Sequence, residues 1–134
     1  HIKPQAKLDV AGSKKQIVPH RGSIAYHSYR KKWVAIFTQV GGEASFLGEI
    51  WYAEADTPTG PWGPAIQVVT HDNYTFYNPK IHQRLAPDDA PVLFFEGTYT
   101  RQFANKPQPT PRYNYNQILY RLDLDDERLA PAQK

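Results

Sequence analysis

The chain has 134 residues and a mass of 15.4 kDa, the length of one domain with a modest core. It contains no Cys and no Met, which excludes disulfides, thiolate metal sites and thiol catalysis and leaves packing and backbone pairing to stabilise the fold. The net charge of +3 comes from scattered rather than striped basic residues, so no nucleic-acid surface is expected, and no apolar run approaches the ~18 residues of a membrane span.

Nine Tyr, six Phe and three Trp make the chain too aromatic for disorder, while 12 Pro and 8 Gly oppose long helices. Beginning at His1 without a signal-peptide pattern, it reads as a processed or excerpted chain, which leaves room for a lost leader. Residues 1–19 are polar, with a weak strand signal at 16–18. Strands are then expected over 24–28, over 33–40 after the 29–32 turn, over 47–55 after the Gly41-Gly42 break, and over 66–70 after a Pro- and Gly-rich cluster at 56–64. Three more follow, at 80–84, 91–96 and 117–123. Pro91 lacks an N–H, which assigns it to a strand start. No window sustains a helical period, so the class is all-β and antiparallel.

A faint internal repeat accompanies these strands. Ile24 and Ile81, Val34 and Val92, and the runs beginning at Glu49 and Gln117 recur at offsets of 57, 58 and 68 residues. The jump falls in the 99–116 loop, which therefore reads as an insert. Four antiparallel strands per ~50-residue repeat describe a propeller blade. The expectation is two four-stranded blades, 20–72 and 73–134, with 1–19 as an extension that is the tail of an earlier unit. A closed propeller needs about four or more blades. Either the chain is a segment of a larger propeller, or copies associate to cover the open edges. Apolar side chains such as Ile24, Ile36, Val92 and Phe94 are expected to be thinly covered, which favours self-association or contact with further blades. A β-sandwich of about seven or eight strands is the alternative.

The run Ala55-Asp56-Thr57-Pro58-Thr59-Gly60-Pro61-Trp62 resembles a turn in five-bladed propeller glycoside hydrolases of the arabinanase and β-xylosidase type. There a Gly-Pro-Trp turn joins the third and outer strands of a blade. Pro fixes the turn dihedrals, Gly permits the reversal and Trp covers the blade edge. The stretch 20–129 is also similar to the terminal blades of uncharacterised secreted bacterial proteins related to that group. The resemblance implies a carbohydrate-associated propeller segment, a glycoside hydrolase-related role, no cofactor and an extracytoplasmic (secreted or periplasmic) location. The family's catalytic motifs are not matched. Glu96-Gly97-Thr98 has an acid followed by glycine, but it ends a strand, whereas the family's acid precedes one and is usually followed by Gly-Pro.

Blade topology would gather His20 and Arg21, 41–46, 71–78 and 99–116 at one end, and 29–32, 56–64 and 86–90 at the other. The first set mixes flat aromatic rings with donors and acceptors, the combination that sugar C–H faces and hydroxyls need. The candidate ligand-binding residues are His20, Tyr77, Asn78, Arg101, Arg112, Tyr113, Tyr115 and Asn116. Pro107, Pro109 and Pro111 stiffen the insert that carries several of them. Glycoside hydrolysis needs two carboxyl groups about 5–9 Å apart. The candidate acids are Glu96, beside Phe94-Phe95, with Asp72 or Glu43 as partner. A structural carboxylate is the competing role for Glu96. His20, His27, His71 and His82 have no paired spacing, and the acidic turns at 88–89 and 123–127 lack a calcium-loop pattern, so no metal is expected. The competing function is a non-catalytic protein-interaction module.

Overall fold

The computed structural model describes residues 7–43, 45–71, 74–102, 104 and 114–133. They form an all-β protein. The strands are β1 (Leu8–Asp9), β2 (Gln16–Ile17), β3 (Pro19–His27), β4 (Lys32–Gln39), β5 (Glu49–Ala55), β6 (Ile66–Thr70), β7 (Thr75–Ile81), β8 (Val92–Thr100) and β9 (Asn116–Asp123), with 3-10 turns at Gln83–Leu85 and Glu127–Ala132. They make three antiparallel sheets: the hairpin β1-β2, the meander β3-β4-β5-β6 and the meander β7-β8-β9. β4 runs between β3 and β5, the order the sequence predicts.

The large meander is a middle layer, which explains its unbroken apolar strands. Every residue from Val34 to Gln39 and all of β5 is buried, as expected for strands covered on both faces. Val34, Ile36, Ile50 and Tyr52 share one core with Phe76, Leu93 and Phe95 of the second meander. The alternate residues Ala35, Phe37, Trp51 and Ala53 pack under Leu8 and Ile17 of the hairpin, with Trp62 from the Gly-Pro-Trp turn against them. Hydrogen bonds tie the two meanders, one of them directly between β3 and β7. Phe76 N–H donates to Leu47 O (2.9 Å), Ile81 N–H to Ser23 Oγ (2.6 Å) and Tyr29 Oη–H to Asp125 (2.6 Å), while His27 Nε2 lies 3.2 Å from Val92 O.

Three expectations change. The second meander has three strands among the described residues, not four. After β9 the chain turns, Asp126 caps the 3-10 segment by accepting from Arg128 N–H, and Leu129 and Ala132 enter the shared core where a fourth strand was expected. Ile36 is fully buried, because the second meander covers it; Ile24 is 50% exposed, as expected. The repeat holds in its third strand only. Ile50 and Tyr52 correspond to Ile118 and Tyr120, which pack against the same core. Ile24, however, faces out while Ile81 is buried, and the core neighbour of Val34 is Leu93, not Val92. A one-residue slip reverses every side chain of a strand.

One buried charge pins the end opposite the 41–46 loop. The Glu54 carboxylate, 2% exposed, accepts from Arg30 Nε at 2.8 Å and from the Tyr52 hydroxyl. Burial, and then the Glu54 hydrogen bond, push the Tyr52 hydroxyl well above its ordinary value. Removing Arg30 strands a carboxylate in the core. In denaturant unfolding, Arg30→Ala should cost about 3 kcal/mol, against less than about 1 kcal/mol for Lys15→Ala, whose pair with Glu43 is largely exposed.

Candidate ligand-binding site

The bulges in the first strands of the two meanders sit side by side. In β3, Pro19 pairs with Gln39 and Gly22 with Phe37, so His20 and Arg21 together oppose Thr38. The buried Thr38 hydroxyl donates to the Arg21 carbonyl at 3.3 Å and holds the bulge in place. In β7, Tyr77 pairs with Thr98 and Lys80 with Glu96, leaving Asn78 and Pro79 opposite Gly97. Asn78 is in the left-handed region (φ 48°), a conformation Asn tolerates better than most residues. Pro79 has no N–H to lose from the ladder. Bulges re-aim side chains, and both do so here. His20, Arg21, Gly22, Ser23, Asn78, Pro79 and Lys80 line one open depression of about 520 Å³. Close backbone approach makes Gly22 obligatory: a Cβ there would lie 2.0 Å from Ile36 O and 2.6 Å from Phe37 Cα.

The neighbouring loops meet at the same end. The Phe46 ring lies 6.5 Å from His20, and Ser45 Oγ donates to Tyr74 O at 3.2 Å. Thr75 Oγ1 donates to Gln102 O at 2.6 Å, and Thr100 Oγ1 donates to Asn114 O at 3.0 Å. Beyond Thr75 lies an aromatic group. His71 stacks on Tyr74 with centroids 4.7 Å apart, and Tyr99 meets Tyr74 edge-on at 4.9 Å. A second groove, about 530 Å³, opens between β6 and β9, with Phe76, Tyr99, Ile118 and Tyr120 among its lining residues and Asn116 at its rim.

The candidate residues therefore divide. His20 and Asn78 share the bulge depression, and Asn116 lines the aromatic groove. Tyr77 is half-buried in the strand beside Thr98. Arg101 follows β8, its backbone N–H donating to Asn114 Oδ1 at 3.3 Å. Tyr115 is 57% exposed immediately before β9. Glu96 lies within β8 on the face away from the shared core, its Oε2 3.1 Å from His82 Nε2. Asp72, Arg112 and Tyr113 lie outside the described residues. Arg21 and Lys80 were not singled out as ligand-binding candidates in the sequence. Their signal was local: a Pro–x–x–Gly segment and an Asn-Pro pair, each leading into a strand.

Among the described residues no group of His, Asp and Glu could hold a metal ion. No helix among them is long and apolar enough to cross a membrane. The class defined by the fold is an all-β protein of three antiparallel sheets. The chain matches no protein-family model and has no significant match among curated proteins.

Two measurements test this geometry. Gly22→Ala should destabilise the protein by about 2 kcal/mol or more, because the atoms in the way are backbone, and should disturb the β3 amide resonances first. The second uses the aromatic groove, where burial pushes the Tyr99 and Tyr120 hydroxyls up to about 12 each, reinforced by Tyr74 and Tyr99 respectively. Folding favours the neutral phenols, so the unfolded chain binds fewer protons above pH 10. Their contribution is complete below about pH 10 and is lost as pH rises toward 12. Unfolding free energy should fall across that window, and less steeply in Tyr120→Phe.

Proposed function

We propose that the chain is a carbohydrate-associated β-propeller segment that binds an oligosaccharide at the end carrying His20, Asn78 and Tyr115. The observation that carries this reading is the pair of adjacent bulges, which gather His20, Arg21, Asn78 and Lys80 around one open depression. Guanidinium, amide, imidazole and ammonium groups match sugar hydroxyls, and the exposed Tyr115 ring offers a flat apolar face.

The propeller part rests on order and packing. β3 to β6 form a consecutive four-stranded meander, as a blade does. The first strand of the next meander packs beside β3, and the β1-β2 hairpin covers the other face, where a neighbouring blade would lie. A sandwich would also be layered, but it does not require the two first strands to lie together. The resemblance of the 55–62 turn to the propeller hydrolases supports the sugar assignment and an extracytoplasmic setting.

The role is binding rather than a complete active site. Glu96 is engaged by His82, and Glu43 is drawn to Lys15 at 3.1 Å. Contact with further blades or with a second copy is the accompanying reading. Ile24 and Tyr26 on one outward face, and Leu119 on the other, are 50%, 45% and 55% exposed.

A glycan array probed with the chain should return oligosaccharide ligands, whereas binding restricted to protein partners would refute the reading. Tyr115→Ala should weaken a hit by about 1–3 kcal/mol if the ring stacks on the sugar. Unchanged affinity would remove Tyr115 from the site.

A further inference from the structure

We infer that the depression between the β3 and β7 bulges is an anion subsite, so that the saccharide it receives bears a carboxylate or sulfate group. This rests on the carbohydrate reading above and narrows it to acidic sugars.

The lining of the depression carries two cations, Arg21 and Lys80, and no carboxylate. Arg21 and Lys80 are exposed on its two walls, and neither has a carboxylate partner among the described residues. Three carboxylates on the adjoining elements have other partners, among them the buried Glu49, which accepts from Glu43 N–H at 2.8 Å. Glu96, in register with Lys80, is held by His82 at 3.1 Å. Glu43, in the loop whose Phe46 touches His20, pairs with Lys15 at 3.1 Å. Two like charges turned into one concavity repel each other, and an anion between them reverses the sign of that interaction. A neutral sugar would be served equally well by amides and hydroxyls and would leave the repulsion in place.

The chemistry of the walls is that of an oxyanion receptor. Arg21 presents a planar fork suited to two oxygens of one group, Lys80 a compact point charge, and Asn78 and His20 further donors. These groups sit on strands rather than on a free loop. The Arg21 carbonyl is held by Thr38, and Ser23 accepts from Ile81 N–H at 2.6 Å. Asn78 keeps a left-handed backbone at the rim (φ 48°), the type of local strain that persists where a side chain must be aimed. The depression, about 520 Å³, has room for one or two sugar units with their substituents.

The test is calorimetric titration of the full chain with three oligosaccharides of equal length: an oligogalacturonate, a sulfated oligosaccharide and a neutral arabino-oligosaccharide. An acidic ligand should bind about tenfold tighter than the neutral one, the scale of one charge-assisted contact, with affinity falling as salt rises. Whichever acidic arm binds more tightly identifies the group. Arg21→Gln and Lys80→Gln should each remove most of that preference, and the exposed Lys14→Gln should leave it intact. Arg21→Lys, which keeps the charge but not the fork, provides a second reading should Arg21→Gln fail to fold. Equal or tighter binding of the neutral ligand would overturn the anion subsite and leave the carbohydrate reading standing. An acidic preference unaffected by the Arg21 and Lys80 variants would also overturn it. No binding in any arm would overturn both.

Discussion

The hydrogen bond from Ile81 N–H to Ser23 Oγ (2.6 Å) marks the constraint on which the molecule depends: two separately hydrogen-bonded meanders held together along their first strands. Neither meander can bury its apolar face alone. Tyr52, Ile36 and Ile50 come from one, Phe76 and Phe95 from the other, and all are almost fully buried only because the sheets meet. The non-directional gain of that burial, about 1.5–3 kcal/mol for each large side chain, sets no register. The polar bonds between the sheets do. Phe76 to Leu47 fixes one end, Ser23 to Ile81 the middle and Tyr29 to Asp125 the other end. Sliding the second meander along the first by one residue would break all three and send Ile81 outward.

The same junction creates the depression. Just beyond Ser23 and Ile81, each first strand takes in an extra residue and leaves its regular pairing: His20 and Arg21 opposite Thr38, Asn78 and Pro79 opposite Gly97. Side chains that a regular ladder would direct alternately across the sheet instead converge on one opening. The bulges can exist there because the backbone is fixed around them. Gly22 lies against Ile36 and Phe37, and the Thr38 hydroxyl holds the carbonyl of Arg21. A rigid frame with irregular strand starts is an economical way to aim polar groups.

Most of the ladder was legible in the sequence. The 66–70 strand coincides with β6, and β4, β5 and β9 lie within two residues of the predicted limits, because alternating or continuous β-branched and aromatic runs have few other uses in so Pro-rich a chain. The first strands were read too late, for a common physical reason. Strands were predicted from 24 and 80, whereas β3 begins at Pro19 and β7 at Thr75. Pro19, Gly22 and the Asn78-Pro79 pair are ordinarily loop residues; here Pro19 and Gly22 flank the β3 bulge, and Asn78 and Pro79 form the one in β7. The departure from local rules thus coincides with the candidate site. β1 escaped notice because a two-residue strand has no periodicity, although its partner at 16–17 carried a weak signal. The missing fourth strand of the second meander has a sequence cause as well. Asp126 with Arg128 forms a capped turn, and Pro131 lies within the 3-10 segment that follows.

The two ends of the sheets treat charge differently. At the end carrying the 29–32 turn, Arg30 pairs with the buried Glu54 and Lys32 with Asp56, while the Tyr29 hydroxyl donates to Asp125. Such pairing costs desolvation and conformational freedom and returns register, which suits an end that serves only to fix the strands. At the bulged end Glu43 pairs with Lys15, the buried Glu49 accepts from Glu43 N–H at 2.8 Å and Glu96 lies against His82, while Arg21 and Lys80 stay exposed around one concavity. The asymmetry follows if one end is built to hold the sheets and the other to meet a charged ligand.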